Sequence, residues 1–513
     1  MMSLLQRVGT GHRRPPNPVA RTLTTGLALV SVAVVAIGVF AGCRPNPSPA
    51  PRNALVVVQT PQASRGGPIP TTVLDLRYPD GSRLLYVPAI TNPDRSILLS
   101  RGLVAAGAPV LSPDGQSVAF VGKASASNPW QIYLTSLAGG EPRPLTSFPQ
   151  GAMDPAWIGS TRVLFTTPIP RLTSGVATSG SDVPALHSLA LTGGPPVRLT
   201  FGLAPAGDGT VLPDGRILFV STVPSSASTA TPAGGQSLFT INNDGTEISA
   251  YGLQHDGPAA IRRPRHLSDG RVVFLAAGPG TTVLDGRIEQ ILSSRPFRSR
   301  SVVFPQMTES FRSAECDQEG CLLVTLRSTT SETYAVYRLG PGATTSGTPW
   351  LDDPGWNEVE AIPADTPPRT AGRLSTIDPD KNTGVLLCLD ARLTDRHPLP
   401  AHDPAPSTLR ITAHLPGSAP QILGETPLAA DGSFLVEVPA DIPLGFDLLD
   451  PAKQVVRRCP PSVWTRPGEN RACIGCHEPH STAPDNLRPL AVKKGPVRFQ
   501  SSIVRLTQRP TNP

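Results

Sequence analysis

The chain has 513 residues, of which 60 are proline and 47 are glycine, and only 16% are charged. This composition excludes a coiled coil and a collagen-like chain, and the length suffices for two or three domains. The formal charge of +6 does not indicate nucleic acid as a partner, because the excess basic residues lie at the two ends. Four arginines precede Cys43 without an acidic residue, and no acidic residue follows Arg488.

Residues 1–42 have the pattern of an export signal, with a basic start followed by an apolar run from Leu27 to Phe40. Phe40-Ala41-Gly42-Cys43 resembles the lipobox of bacterial lipoproteins, which implies that Cys43 carries a lipid and begins the mature protein. An uncleaved transmembrane anchor is the alternative. Both interpretations place the protein in the cell envelope, facing the periplasm, with residues 43–53 as a Pro-rich tether.

Residues 54–365 contain a repeating β-rich unit of roughly 45–55 residues, a length typical of a four-stranded propeller blade. Each unit has an Asp-Gly turn, a strand, a second strand and a further turn, often Gly-Gly. The turn and the strand after it recur as Leu111–Gly115 before Ser117–Val121, Val211–Gly215 before Arg216–Val220, and His266–Gly270 before Arg271–Leu275. The sequence therefore predicts an all-β fold that begins with a β-propeller.

The order Ser-Pro-Asp-Gly, strand, hairpin, Leu-Thr resembles the TolB-type propeller repeat of periplasmic proteins. With the poorer units at residues 54–100 and 302–365 included, the count of repeats predicts about six blades. The face or the central channel of such a propeller could bind a protein partner, or the blades could serve only as a scaffold. The sequence leaves both interpretations open.

A linker at residues 366–383 is followed by short alternating strands at residues 384–458, which predict a small β-sandwich. The predicted strands are Val385–Leu389, Thr408–His414, Ser433–Val438, Gly445–Leu449 and Gln454–Arg458.

Residues 459–487 contain the one segment with a specific chemical signature. Cys473-Ile474-Gly475-Cys476-His477 is the CxxCH pattern of covalent haem attachment, in which two thiols bind the porphyrin and the histidine binds iron. The sequence thus predicts one covalent haem c. Zinc is the alternative cofactor, since Cys459, Cys473 and Cys476 could bind it together with His477 or His480. Glu469 and Glu478 flank the motif as proton carriers or as exposed surface carboxylates.

The segment from Trp464 to Glu478 resembles the haem segment in the middle domain of the hydrazine synthase alpha subunit and its relatives. Those relatives also have an Asp-Gly-Ser-Phe strand, present here at Asp431–Phe434, and a propeller in front. The family is expected to use a tyrosine after the motif as the iron ligand. Here Ser481 occupies that region and no tyrosine follows Tyr337, so His477 is the expected proximal ligand. The resemblance implies a haem-bearing module.

Four further cysteines, Cys316, Cys321, Cys388 and Cys459, allow three pairings in an oxidising compartment. Cys316 and Cys321 could close a hairpin, and Cys388 and Cys459, on the first and last predicted strands of the small domain, could pair. Met153, Met307 and the histidines of the small domain are the candidates for the second axial ligand. A basic tail at residues 488–513 could contact an acidic partner or the membrane surface.

The sequence therefore predicts a lipid-anchored single-haem protein of the periplasm, active in electron transfer or small-molecule chemistry with a redox or structural protein partner. A propeller that binds a partner, with a structural haem or zinc segment, is the second hypothesis. A hydrazine-synthase-like catalytic subunit, which would be a haem-dependent oxidoreductase, is the third.

Overall fold

The computed structural model describes residues 53–62, 69–173, 176–178, 183–222, 235–252, 260–277, 284–329, 331–365, 367, 370–393, 405–415, 418–475 and 487–499. The predicted signal, Cys43, Cys476, His477, His480 and the end of the basic tail lie outside these residues. Within the described ranges the regular secondary structure is almost entirely β-strand, which confirms the predicted all-β class. None of the helices in these ranges has the length and apolar composition needed to cross a bilayer.

Six consecutive sheets form the first part of the chain. The first sheet contains β1 (Leu55–Pro61), β2 (Arg83–Val87) and β3 (Ile97–Leu98), and the second contains β4 (Ala105–Leu111), β5 (Ser117–Lys123), β6 (Gln131–Ser136) and β7 (Arg143–Pro144). The third contains β8 (Met153–Ile158), β9 (Arg162–Thr167), β12 (Ala185–Ala190) and β13 (Val197–Arg198). Between β9 and β12, a separate hairpin is formed by β10 (Arg171–Thr173) and β11 (Val176–Thr178).

The other three sheets follow the same plan. The fourth sheet contains β14 (Ala206–Val211), β15 (Ile217–Thr222), β16 (Gln236–Ile241) and β17 (Ser249–Gly252). The fifth contains β18 (Ala260–His266), β19 (Arg271–Ala277), β20 (Arg287–Leu292) and β21 (Ser301–Val302). The sixth contains β22 (Phe311–Cys316), β23 (Leu322–Leu326) and β24 (Ala335–Leu339). Short helical segments are α1 (Val73–Arg77) and the 3-10 turns Pro93–Arg95 and Leu490–Lys493.

The ring of sheets is closed by β25 (Trp356–Pro363), which pairs antiparallel with β1 and becomes the inner strand of the first sheet. The inner strands β25, β4, β8, β14, β18 and β22 contact one another in series, and the last contacts the first. A hydrophobic core lies between each pair of adjacent sheets. This is the arrangement of six blades in a β-propeller.

Asp-Gly turns connect the inner strand of several blades to the next strand. The carboxylate of Asp114, Asp214 or Asp269 accepts the backbone N–H two residues later at 3.0–3.1 Å. The following residue is glycine because the turn needs φ of +70 to +84° there, which other residues rarely adopt. The repeated sequence thus fixes where each blade reverses.

The seam between β1 and β25 buries a carboxylic acid. Glu358 is 0% exposed, and its Oε1 accepts a hydrogen bond from Gln59 Nε2 at 2.7 Å on the paired strand. Burial raises the pKa of Glu358 to about 8 from its ordinary value of 4.5. The carboxyl group is therefore protonated in the folded protein at neutral pH.

Glu358→Gln is expected to raise the melting temperature at pH 8 and to leave it nearly unchanged at pH 5. The unfolded wild type ionises Glu358 above its ordinary pKa of 4.5 while the folded protein holds the proton up to about 8. The free energy of unfolding therefore falls as pH rises between these values, by about 4 kcal/mol at most. Melting curves of both proteins at pH 5, 6.5 and 8 measure the effect. Glu332→Gln, at an exposed position, is the control, and equal pH profiles for Glu358→Gln and wild type would contradict the assignment.

Two four-stranded sheets form the second part of the chain and share one hydrophobic core. One sheet has the order β32-β26-β29-β33 and the other β28-β27-β30-β31. The strands are β26 (Thr383–Asp390), β27 (Thr408–Ala413), β28 (Gln421–Pro427), β29 (Phe434–Pro439), β30 (Leu444–Leu449), β31 (Val455–Val463), β32 (Asn470–Gly475) and β33 (Val497–Arg498). The sandwich thus extends past the predicted boundary at residue 458, because the first half of the haem segment supplies the edge strand β32.

Candidate functional site

The candidate site is built around Cys473, the only haem-motif ligand in the described part of the chain. Cys473 lies on β32, which runs parallel to β26 at the edge of its sheet. Its thiol is free and half-buried, and β32 ends two residues later at Gly475. The described chain resumes at Leu487, and the N–H of Leu490 donates to Asp431 Oδ2 at 2.8 Å. The sandwich therefore holds the chain on both sides of the motif.

Trp464 fixes the start of this segment on the propeller. Its side chain is 2% exposed and packs among apolar residues of the third and fourth blades, such as Leu186 and Phe219. Its Nε1–H donates to the backbone oxygen of Gly245 at 3.1 Å, so the one polar atom of the ring is satisfied inside the core. A tryptophan at this position therefore joins the sandwich to the propeller.

Arg466 extends the same attachment through its guanidinium group. Nη1 donates to the backbone oxygens of Asp244 at 2.8 Å and Arg198 at 3.0 Å, and Nε lies 2.8 Å from Asp441 Oδ1. A side chain on Gly245 would place its Cβ 2.6 Å from Arg466 Nη1, and its φ is +87°. Glycine is thus required at the turn that receives the arginine.

Glu469 is buried rather than exposed, which corrects the expectation of a surface carboxylate. It is 2% exposed, and its two oxygens accept the backbone N–H groups of Glu247 at 2.8 Å and Arg466 at 2.7 Å. Burial raises the pKa of Glu469 above its ordinary value, and these hydrogen bonds oppose that rise. Its role in the described structure is to hold the segment against the fourth blade.

Arg471 lies two residues before Cys473, on the same side of β32. Its Nη2 donates to the backbone oxygen of Ile248 in the fourth blade. Its Nη1 is buried and has no hydrogen-bond partner among the described residues. A cationic group with an unused donor beside a CxxCH motif suits an acidic group of a haem, so the described donor set fits that cofactor.

The other predicted site residues are spread over the molecule. Cys388 and Cys459 are buried in the sandwich core on opposite sheets, and Cys316 and Cys321 are free, half-buried thiols at the ends of a hairpin in the sixth blade. The structure contains no disulfide bond among the cysteines it describes, so the predicted pairings stay predictions. In the described part of the chain, no three or more His, Cys, Asp and Glu residues form a group that could hold a metal ion.

The candidate axial ligands also lie apart from the described motif strand. Met153 and Met307 are buried in cores between propeller blades. The ring of His414 is half-buried and lies 2.9 Å from Thr412 Oγ1 through Nε2. His397 and His402 lie outside the described residues. The positions of these candidates therefore do not identify the second axial ligand of the haem iron.

A second candidate site is a funnel at one end of the propeller channel, with a volume of about 1070 Å³. The end of the inner strand of every blade contributes to its wall, through Val110, Trp157, Val211, His266, Cys316 and Pro363. Asp365, at the end of the propeller, and Pro367 and Thr370 of the linker complete the rim. Strand direction places the turns of β14–β15 and β16–β17 at the same end of the fourth blade, so the funnel opens on the side where the sandwich docks.

A ring of buried charged residues lies deeper in the channel. The carboxylate of one blade accepts a backbone N–H of the next: Asp154 from Asp208 at 3.1 Å, Asp208 from Arg263 at 3.2 Å, and Glu360 from Ala108 at 3.1 Å. Burial, together with the charge of Asp208, raises the pKa of Asp154 to about 6. These side chains connect adjacent blades to one another.

At the level of this ring, Arg263 pairs with Glu360 and lies 3.6 Å from Glu315. Tyr78, directly after α1, fills the space over Gly107, where a Cβ would lie 2.4 Å from its ring, and its O–H donates to Glu360. The helix α1 itself is held at the other end of β4 by the ion pair of Asp75 with Lys123 at 3.0 Å. This end of the channel is therefore occupied by the chain itself.

One family model matches part of the sandwich and the motif region. Residues 411–478 match the hydrazine synthase alpha subunit middle domain. Among solved structures, Kuenenia stuttgartiensis hydrazine synthase is similar with a TM-score of 0.73 and 17% identity, covering 88% of this chain and 72% of that chain. This likeness shows a shared fold over most of the chain and confirms the resemblance predicted from sequence.

Lower similarity is found to TolB from Acinetobacter baumannii, with a TM-score of 0.38 and 15% identity over 56% of this chain and 61% of that chain. TolB from Agrobacterium tumefaciens has a TM-score of 0.34 and 17% identity over 49% and 88% of the two chains. No curated protein sequence matches the chain.

Sequence reasoning missed the charged ring and the docking role of the segment around Trp464. A signal for the ring exists in the repeats, because Asp154, Asp208 and Arg263 occupy equivalent positions in β8, β14 and β18 and all have φ near +50°. Aligning the inner strands would have found them. The docking contacts have no such signal, because they join residues more than 200 positions apart, as in Trp464 and Gly245.

Proposed function

We propose that this chain is an exported, lipid-anchored protein of the cell envelope that carries one covalent haem c. Cys473 and Cys476 would hold the porphyrin, and His477 would be the proximal iron ligand. The observation that carries the proposal is the free, half-buried thiol of Cys473 on a strand fixed between the sandwich and the propeller. The middle-domain match over residues 411–478 supports the same assignment.

The residues around the motif have defined tasks in this proposal. Trp464, Arg466 and Glu469 hold β32 in place, so that the thiol of Cys473 has a fixed position. Arg471 offers its unused N–H donor to an acidic group of the cofactor. A bound haem supplies one-electron chemistry or a binding position for a small molecule. Because the matching family model is the middle domain of an alpha subunit, a name that implies further subunits, protein partners in the periplasm are part of the proposal.

The test is covalent haem in protein made with a cytochrome c maturation system. We expect a c-type band in the reduced-minus-oxidised spectrum and one haem per chain by mass. Cys473→Ser should lose the two-thioether attachment, because only one thiol remains to bind the porphyrin. Cys316→Ser, in the sixth blade, is the matched control and should keep it. Colourless wild-type protein from a competent host would refute the proposal.

Carbon monoxide binding distinguishes electron transfer from small-molecule chemistry at the haem. A reduced spectrum that carbon monoxide does not change indicates a filled sixth position and electron transfer. A changed spectrum indicates an open position and small-molecule chemistry, including the hydrazine-synthase-like alternative. Lipid on Cys43 is tested by the intact mass of the membrane-bound protein, with Cys43→Ser expected to be released from the membrane.

A second candidate function is a partner-binding propeller, and the six-blade funnel of about 1070 Å³ favours it. In this case the haem segment would be structural. Cys473→Ser protein that accumulates and restores the function of a deletion strain would support this candidate over the redox role. Loss of function in that variant, with normal accumulation, would exclude it.

A further inference from the structure

Cys473 has a cysteine as its direct neighbour on the adjacent strand. In the parallel ladder of β26 and β32, the residue paired with Cys473 is Cys388. Adjacent strands lie about 4.8 Å apart, and disulfide-bonded residues have Cα atoms about 4.4–6.8 Å apart. Both thiols are free in the structure. Their backbone spacing is therefore within the range that a disulfide bond requires.

The two thiols also lie on the same side of the sheet. Leu386 and Cys388 both face the sandwich core, with 3% and 1% exposure, and they pair with Arg471 and Cys473. Paired residues of neighbouring strands project to the same face. The more exposed neighbours of Cys473 in the first part of β32, Asn470 and Ala472, belong to the opposite face. The thiol of Cys473 thus points to the side on which Cys388 is buried.

The geometry points to a disulfide bond between Cys388 and Cys473 that forms in the haem-free protein and removes the thiol needed for haem attachment. The bond itself does not depend on the haem, whereas its effect on attachment rests on the proposed function. The sequence also suggests Cys459 as a partner of Cys388, and Cys459 lies on β31 in the opposite sheet of the same core, so that pairing is the competing outcome of the test. The direct pairing of β26 with β32 favours the cysteine of the motif.

The different exposure of the two cysteines determines the order of the thiol–disulfide exchange steps. Cys473 is half-buried and Cys388 is 1% exposed, so an external protein disulfide or oxidised glutathione reacts first with the Cys473 thiolate and releases one thiolate. The thiolate of Cys388 then attacks the Cys473 sulfur of this mixed disulfide and releases the second. Two electrons pass to the external disulfide, and the protons of the two protein thiols are released. A reductant of the dithiol class reverses the reaction.

The consequence is a haem site with two states. The reduced state offers Cys473 and Cys476 to the porphyrin, and the oxidised state offers only Cys476. Because Trp464 and Arg466 anchor β32 on the propeller, the register that pairs Cys388 with Cys473 is fixed in both. Attachment would therefore depend on a thiol reductant acting on the folded chain.

The experiment uses full-length apoprotein made without a cytochrome c maturation system and equilibrated with reduced and oxidised glutathione. Free thiols are alkylated, and peptides are mapped by mass spectrometry with and without reduction. We expect a crosslink between the peptides that contain Cys388 and Cys473, lost in Cys388→Ser. Cys459→Ser, a substitution in the same core but on the opposite sheet, should retain it.

A crosslink of Cys473 to Cys476, a crosslink of Cys388 to Cys459, or no crosslink would overturn the inference. The wild-type map decides this even if the Cys388→Ser variant fails to fold, and Cys388→Ala provides a second variant. In a maturation-competent host under oxidising conditions, Cys388→Ser should carry more haem than wild type. If the crosslink forms but no variant ever binds haem, the proposed function fails while the disulfide remains.

Discussion

Replacing Arg466 with methionine is expected to separate the unfolding of the sandwich from that of the propeller. The guanidinium group donates to two backbone oxygens of the propeller, and it pairs with Asp441 at 2.8 Å. Methionine keeps the apolar part of the side chain but leaves these three acceptors without their donor. We expect a loss of about 2–4 kcal/mol, moderated because the Asp441 side chain is 34% exposed.

Differential scanning calorimetry measures this effect as a second, lower transition in the variant. The control is Arg392→Met, the same substitution at a sandwich residue whose side chain is 37% exposed and pairs with Asp390, which is itself 40% exposed. Exposed ion pairs contribute little, so the control should lose less than about 1 kcal/mol and keep the wild-type profile. Equal losses in the two variants would show that Arg466 does not join the two parts.

Replacing Arg263 with methionine is expected to cause the largest loss of stability in the propeller, about 3–5 kcal/mol at pH 8. Arg263 is 7% exposed and faces two acidic residues, Glu360 and Glu315, inside the channel. Burial alone would raise the pKa of Glu360, but the charge and hydrogen bond of Arg263, with the hydrogen bond from Tyr78, hold that pKa below its ordinary value. Without Arg263, Glu360 would lose its ion pair and keep hydrogen bonds such as that of Tyr78. Glu315, in contrast, would still pair with Arg265.

The pH dependence of the stability loss in Arg263→Met tests whether the unpaired charge of Glu360 causes it. In the variant, burial should raise the folded-state pKa of Glu360 above the unfolded value of about 4.5. The variant is then closest to wild type below that value, and its deficit grows as pH rises. Urea unfolding at pH 5 and pH 8 measures the difference.

Two further variants complete the test. Adding Glu360→Gln to Arg263→Met should recover part of the loss, because it removes one unpaired charge. Arg271→Met, which breaks a pair with the half-exposed Asp269, is the control and should change stability by less than about 1 kcal/mol. A loss that does not change with pH would contradict the proposed cause.

Local sequence signals predicted much of the fold. The Asp-Gly turns were located because aspartate and glycine form the turn within four residues, as in Asp114-Gly115. The predicted strand Ser117–Val121 begins at the same residue as β5 (Ser117–Lys123) and ends two residues before it. Five of the eight sandwich strands, β26, β27, β29, β30 and β31, were predicted from their alternation, since one face of each strand packs in a core.

The rest depends on contacts between distant parts of the chain. The parallel pairing of β26 with β32 joins residues more than 80 positions apart, and no local pattern fixes that register. Glu469 has the composition of a surface residue, and only the backbone N–H groups of Glu247 and Arg466 make its burial favourable. The candidate site was thus predictable in its chemistry at Cys473, but its attachment to the propeller was not.

The closure of the ring by β1 and β25 has a consequence for the order in which the molecule is made. During synthesis from the amino end, β1, β2 and β3 emerge first, but their inner edge has no partner until Trp356–Pro363 follows. The first blade therefore stays incomplete, with an open strand edge prone to aggregation, until the other five blades have been made. About 260 residues separate β3 from β25, so the circle closes only when nearly the whole propeller is present.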